Sequence, residues 1–140
     1  MNSHKESRIL AFQALYAWEA QKKRMSIESL LEFSWLDKPL DEETGAFARL
    51  LVAGVVENIK SIDDMLSAHF ENWTFSRVAR VDLAIMRMSA YSLMFQKDIP
   101  ASVVISSAIS ISRKFGADDS FRFINGILDA VHKAVQEKEV

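Results

Sequence analysis

Apolar residues recur at three- and four-residue spacing along most of the chain, and no Val/Thr/Tyr-rich run alternates with polar residues. That periodicity predicts an all-α protein. A first helix is expected from about Ser3 to about Lys23. Between Ile9 and Ala20 it carries only Gln13 and Glu19 as polar side chains, so nearly all its faces need cover and a central position follows. A shorter amphipathic helix is expected over Ile27–Trp35, stopping before Pro39. Leu40-Asp41-Glu42-Glu43 then sets carboxylates in the first turn of a long helical stretch, where they complement the free N–H groups and the dipole. Phe47, Leu50, Leu51, Gly54, Val55 and Asn58 fall on one stripe of it. Ser61-Ile62-Asp63-Asp64 reads as a cap and a fresh start, leading to Met65, Leu66, His69 and Phe70.

Trp73-Thr74-Phe75-Ser76 interrupts the pattern and is the expected joint between two helical halves, about 1–75 and 76–140. With no flexible linker there, the halves are expected to pack as one domain over 1–140: two small helical bundles sharing a core. In the second half Val81, Ile85, Met88, Tyr91 or Ser92, and Phe95 form a continuous apolar face. Asp98-Ile99-Pro100 ends that helix, and Pro100 suits the first turn of the next, about Ala101 to Lys114. β-branched residues in Val103-Val104-Ile105 and Ile109-Ser110-Ile111 make strand the competing assignment, but helix punctuation at both ends favours helix.

The segment Lys114 to Asp129 is the most distinctive. Gly116 is expected to close a helix in the left-handed conformation. Asp118, Asp119 and Ser120 are placed to cap the last helix, about Ser120 to Glu137. Asn125-Gly126 has no such local reason. Glycine within a helix costs about 1 kcal/mol relative to alanine, so a packing or contact reason is needed, and close helix packing is the expectation for Gly126.

Composition narrows the class. The chain has 140 residues, 49% hydrophobic and 26% charged, enough for a folded core. It has no cysteine, which excludes disulfides and thiolate metal sites and fits a reducing compartment. Neither a secretion signal nor an apolar run long enough to cross a bilayer is visible, so a soluble, cytoplasmic protein is expected. The net charge of −2 is unevenly spread. Residues 1–24 carry five basic and two acidic side chains, 25–76 three and ten, and 77–140 nine and seven. A basic beginning and a mildly basic end could form one RNA-facing side, or the segregation could be chance.

Catalytic chemistry finds little support. His4, His69 and His132 lack metal-ligand spacing, no Gly-x-Ser-x-Gly elbow or phosphate-cradling Gly-rich loop occurs, and capping accounts for Asp63-Asp64 and for the position of Asp118-Asp119. No active site, metal or cofactor is expected. Binding chemistry is better supported. On an ideal helix Lys5, Arg8, Phe12 and Tyr16 fall within one quadrant, and cations neutralise phosphates while a ring stacks on an unpaired base. The alternative puts Phe12 and Tyr16 in the core and leaves Lys5 and Arg8 solvated. Asp119 and Phe123 share a face at the start of the last helix, an arrangement suited to a splayed base.

Five segments in order resemble one family. Ala11-Phe12-Gln13-Ala14-Leu15-Tyr16 is similar to the Ala-x-Gln-Ala-Leu-Tyr motif of the NusB family of bacterial transcription antitermination factors. Leu50 to Val55 resembles its Leu-Leu-x-Gly-Val element, Val81 to Arg87 its Val-Asp-Arg-Ala-Ile-Leu-Arg helix, and Asp98-Ile99-Pro100 its Asp-Ile/Val-Pro turn. Lys114 to Asp129 is similar to its Lys-x-Phe-Gly…Ser…Phe-Val-Asn-Gly-Val-Leu-Asp signature.

The resemblance implies an all-α protein without enzymatic activity that binds the single-stranded boxA element of nascent RNA. It implies NusE, a small-subunit ribosomal protein, as partner, within an antitermination complex on RNA polymerase serving chiefly ribosomal RNA transcription. Carried over by position, Lys5, Arg8, Tyr16, Asp119 and Phe123 would touch RNA, and Asp82, with Arg87 beside it, would face NusE. Two departures stand out. The N-terminus holds fewer arginines than the family usually has, and Ser106-Ser107 replace an Asn-Glu pair.

Two readings from other classes remain. One keeps the fold as a protein-interaction or self-associating module, a homodimer that does not bind RNA. The other is the accessory domain of a ribosomal RNA cytosine methyltransferase, which 140 residues leave no room to complete. Met1 and the charged tail lead to the expectation of a full-length chain.

Overall fold

The computed structural model describes residues 3–71 and 75–138, so Trp73 and Thr74 of the expected joint lie outside the described residues. Through the described residues run α1 (Ser3–Ala20), α2 (Ile27–Leu30), α3 (Glu42–Glu57), α4 (Ile59–Ser67), a 3-10 turn (Phe75–Arg77), α5 (Arg80–Phe95), α6 (Ala101–Phe115) and α7 (Ser120–Lys138). The all-α expectation holds, and 101–115 is helix despite its β-branched residues. None of the described helices is long and apolar enough to cross a membrane.

Helix α5 is the axis of the fold. It packs against α1, α3, α4, α6 and α7, and every residue from Asp82 to Leu93 is buried. Helix α1 packs mainly on α3 and α5, burying Leu10, Ala11, Phe12, Ala14, Leu15 and Trp18. The most enclosed helix is therefore α5 rather than α1, because α1 keeps an open edge on which Lys5 and Tyr16 are exposed. One contiguous set of buried side chains joins all seven helices. Phe12 reaches Phe115 of α6 with ring centroids 5.2 Å apart, which anchors the N-terminal half of α1 to the end of α6.

Several boundaries differ from the sequence expectation, each for a local reason. Lys22 and Lys23 take positive φ of 55° and 63°, and the Lys23 N–H donates to the Trp18 carbonyl at 2.8 Å, so α1 closes at Ala20. Helix α2 is a single turn capped by the Ser26 hydroxyl. Phe33 adopts φ 50° and turns its ring into the core, so burial of an aromatic outweighs extension of that helix. Asp41 caps α3 by accepting from the Thr44 N–H at 3.2 Å, and hydrogen bonds from the Thr44 hydroxyl and then from its N–H hold the carboxyl below the usual value.

The buried stripe of α3 is Thr44, Gly45, Ala48, Leu51, Val52, Gly54 and Val55, and Leu50 is exposed. The break between α3 and α4 falls at Asn58 rather than at Ser61. Its side-chain amide donates back to the Gly54 carbonyl at 2.8 Å, and its own carbonyl accepts from the Ile62 N–H. A side chain that satisfies the backbone of the previous turn makes the kink at that residue. Phe95, expected on the apolar face of α5, is half exposed.

Three glycines separate by cause. A Cβ on Gly54 would overlap the ring of Tyr91, so this residue is what lets α3 and α5 approach. Gly116 is extended at φ −97° and ψ −179° rather than left-handed, and a Cβ there would stand 2.9 Å from the Ser112 carbonyl oxygen. Its N–H donates to that same carbonyl at 2.8 Å, so close backbone approach is its reason. Gly126 is exposed, and a Cβ at that position would meet no atom within 4 Å, which removes helix packing as its explanation.

Candidate nucleic-acid interface

The edge formed by the start of α1 and the length of α6 is held in place by two polar ties and one aromatic pair. The Ser7 hydroxyl donates to the Thr44 carbonyl at 2.7 Å, fixing α1 to the start of α3. Arg8 Nη1 donates to the Ser92 hydroxyl at 3.0 Å, which in turn donates to Gln96 at 2.7 Å, fixing α1 to α5. Phe12 on Phe115 adds the third point. Between α1 and α6 these ties leave a cleft of about 710 Å³, lined by Lys5 and Arg8 from α1 and by Lys114 and a row of serines from α6.

The expected site residues divide sharply. Lys5 is exposed at the cleft. Arg8 is only 5% exposed, against the alternative that left it in solvent, and burial pulls its guanidinium down to about 10. Phe12 belongs to the core, as that same alternative held, whereas Tyr16 is 38% exposed on the open edge of α1. Asp119 is exposed immediately before α7. Phe123, one turn into α7, is half-buried and lies 6.0 Å from the ring of Phe70.

The two residues expected to face a protein partner are both inside. Asp82 is 7% exposed near the start of α5, with Oδ1 buried and without a hydrogen-bond partner among the described residues. Burial pushes its carboxyl up, against a hydrogen bond with Ser120 that pulls it down. Arg87 is 3% exposed and grips Asp63 through two 2.9 Å bonds and Glu19 through one of 2.6 Å. Burial lowers its pKa and these carboxylates raise it, with a net rise. It also lies over the ring of Phe75 at 5.7 Å. Its guanidinium ties α1, α4 and α5 together and is not presented to a partner.

Sequence reasoning missed three cations, one at the cleft and two at the α6–α7 turn. Lys114 was part of a motif but not a candidate, and it lines the cleft with Lys5. Arg113 and Arg122 lie over Phe121 at 4.1 and 5.6 Å, an aromatic ring with two exposed guanidinium groups near it. The signal was present as Arg113 at one helix end and Phe121-Arg122 at the next helix start, but only the α6–α7 turn brings them together. Among the described residues no group of three or more His, Asp or Glu side chains could hold a metal ion.

A helical scaffold with a cationic cleft and cation-flanked aromatic rings is suited to anionic partners. The chain belongs to the NusB family, whose model matches residues 5–133. It is 50% identical over 133 residues to "Transcription antitermination protein NusB" of Treponema pallidum (strain Nichols), covering 93% of this chain and 92% of that protein. A protein of the same name from Citrifermentans bemidjiense is 39% identical, covering 99% of this chain and all of the relative. Among solved structures, T. maritima NusB superposes with a TM-score of 0.87 at 34% identity, covering 99% of this chain and 96% of the other. A crystal structure of antitermination factors NusB and NusE in complex with dsRNA superposes with a TM-score of 0.85 at 25% identity, covering 96% and 98%.

Proposed function

We infer that this chain is an RNA-binding transcription antitermination factor, not an enzyme, working in the cytoplasm. With NusE it binds the boxA element of nascent ribosomal RNA and joins the antitermination complex on RNA polymerase. The observation that carries the reading is the shared cationic edge of α1 and α6, where Lys5 and Lys114 flank one cleft, set on a fold superposable on a NusB–NusE–RNA complex. Lys5 and Arg8 supply phosphate contacts, Tyr16 and Phe123 supply ring faces, and Asp119 accepts from a base edge. Arg113, Phe121 and Arg122 extend that surface around the α6–α7 turn. Asp82 and Arg87 support the NusE-facing surface at the start of α5 from beneath.

The test is an RNA-shift titration with boxA RNA, with and without NusE, over a range of salt. Removing one cation from a phosphate reduces the salt slope by about 0.7 for a single strand, so Lys5→Ala is expected to weaken and flatten the binding. Phe123→Leu, which keeps an apolar group against Phe70, is expected to weaken binding with little change in salt slope. If the two substitutions together leave the shift unchanged while circular dichroism shows an intact fold, the proposed surface is wrong.

A further inference from the structure

Lys22, Lys23 and Arg24 stand in a row just beyond the end of α1, and all three are exposed. Among the described residues none of their side chains forms an ion pair or a hydrogen bond. Lys23 alone has a side-chain partner, lying over the Trp18 ring at 5.3 Å. The backbone beneath them is strained, with Lys22 at φ 55° and Lys23 at φ 63°. The Lys22 N–H donates to the Glu19 carbonyl at 2.9 Å and the Lys23 N–H to the Trp18 carbonyl at 2.8 Å. These paired bonds close a helix through a left-handed residue, a position that favours glycine or asparagine over lysine. A residue with a Cβ loses stability there, and two in succession lose more.

Closing α1 therefore requires no lysine at either position. A helix dipole does not explain them either. Its pull on cations is confined to the last turn, where α1 carries none. The turn lies at the opposite end of α1 from Lys5, beyond Tyr16, whose ring is exposed on the open edge. Lys22 follows Tyr16 by six positions, about 9 Å along a helix axis, which two or three nucleotides span at a stacked spacing of ~3.4 Å. Glu19 is the one carboxylate between them, and its 2.6 Å bond to Arg87 neutralises it.

We propose that the turn after α1 is a second cationic contact for single-stranded RNA, in which Lys22 and Arg24 neutralise phosphates of the nucleotides that run on past Tyr16. The proposal rests on the RNA-binding role and extends the bound strand from one end of α1 to the other. Strain accepted at two lysines is then the cost of aiming charge at the strand. An acidic protein face would also suit three cations, but continuity with the ring of Tyr16 favours a strand.

The experiment measures fluorescence anisotropy of boxA RNA with the whole chain and NusE, over a range of salt. Three RNAs are compared: boxA alone, boxA with four uridines added at its 5′ end, and boxA with four added at its 3′ end. One extension should tighten binding about three- to tenfold near 0.1 M salt and steepen the salt slope by about 1.4, for two added phosphate contacts. Lys22→Gly with Arg24→Gln, which leaves Lys23 over Trp18, should bind unextended boxA as wild type does and lose that gain. Lys22→Gly alone should keep or raise Tm, because glycine relieves the left-handed position.

Equal affinity of the wild-type chain for all three RNAs would overturn the proposal, as would a gain that the double variant keeps. A double variant that keeps the gain yet no longer enters the RNA polymerase complex would assign the turn to an acidic protein face, and overturn it too. Failure of the wild-type chain to bind any of the three RNAs would instead sink the RNA-binding role, and this proposal with it.

Discussion

Arg8 and Arg87 are both drawn inside the fold, at 5% and 3% exposure, and their surroundings are opposite. Arg87 meets Asp63 through a two-point fork and Glu19 through a third bond, and a phenyl ring covers it. Arg8 meets one neutral hydroxyl and an open cleft. The same side chain is thus a structural tie in one place and an unmatched cation in the other. Burial of a charge alone does not separate structure from function; the partner set does. A satisfied ion pair fixes helices, and a buried cation without an anion costs stability.

Substitutions can break this contrast, beginning with the largest effect. Arg87→Met leaves Asp63 and Glu19 facing each other without their cation, and should cost about 3 kcal/mol in urea unfolding. Little loss there would show that the triad is not the tie described. The helical glycines offer a parallel pair, one filled environment and one open. Gly54→Ala forces a methyl into the Tyr91 ring and should cost about 1–3 kcal/mol, measured in the same unfolding series. Gly126→Ala meets open space in a helix interior and should stabilise by about 0.5–1 kcal/mol.

The smallest effect belongs to Arg8→Met. It removes an uncompensated charge at the same time as one hydrogen bond, so stability should change by less than about 1 kcal/mol in phosphate-free buffer. A loss as large as that of Arg87→Met would mean that Arg8 is already satisfied, and would dissolve the comparison. If Gly126→Ala stabilises the chain yet weakens binding to RNA or to NusE, the exposed glycine marks a contact surface on α7.

Much of the fold was legible in the sequence because helix periodicity and caps are local. The carboxylate cap of α3, the proline-led start of α6 and the turn between α6 and α7 all sat where residue chemistry placed them. The failures were of two kinds. Helix ends shifted where one side chain chose the core or the backbone, as Phe33 did in cutting α2 short and Asn58 did in moving the α3–α4 break. Glycine roles shifted because a missing Cβ matters only against a neighbour. Gly54 and Gly126 look alike in sequence, and only the ring of Tyr91 distinguishes them.

The candidate site was legible in part. Lys5, Tyr16 and Asp119, expected from the sequence at an RNA surface, are exposed. The residues that complete the edge were hidden by distance along the chain. Lys114 joins Lys5 only after α6 packs beside α1, and Arg113 meets Phe121 and Arg122 only across the α6–α7 turn.

By itself the sequence determined the helices, their order and the family, since these follow from spacing and from motifs in register. Tertiary structure decided which charges are neutralised. Asp63, Glu19 and Arg87 come from three helices, and Arg8 faces serines about a hundred residues away. Electrostatic energy depends on separation in space and on exclusion of water, and neither quantity is written in the order of residues.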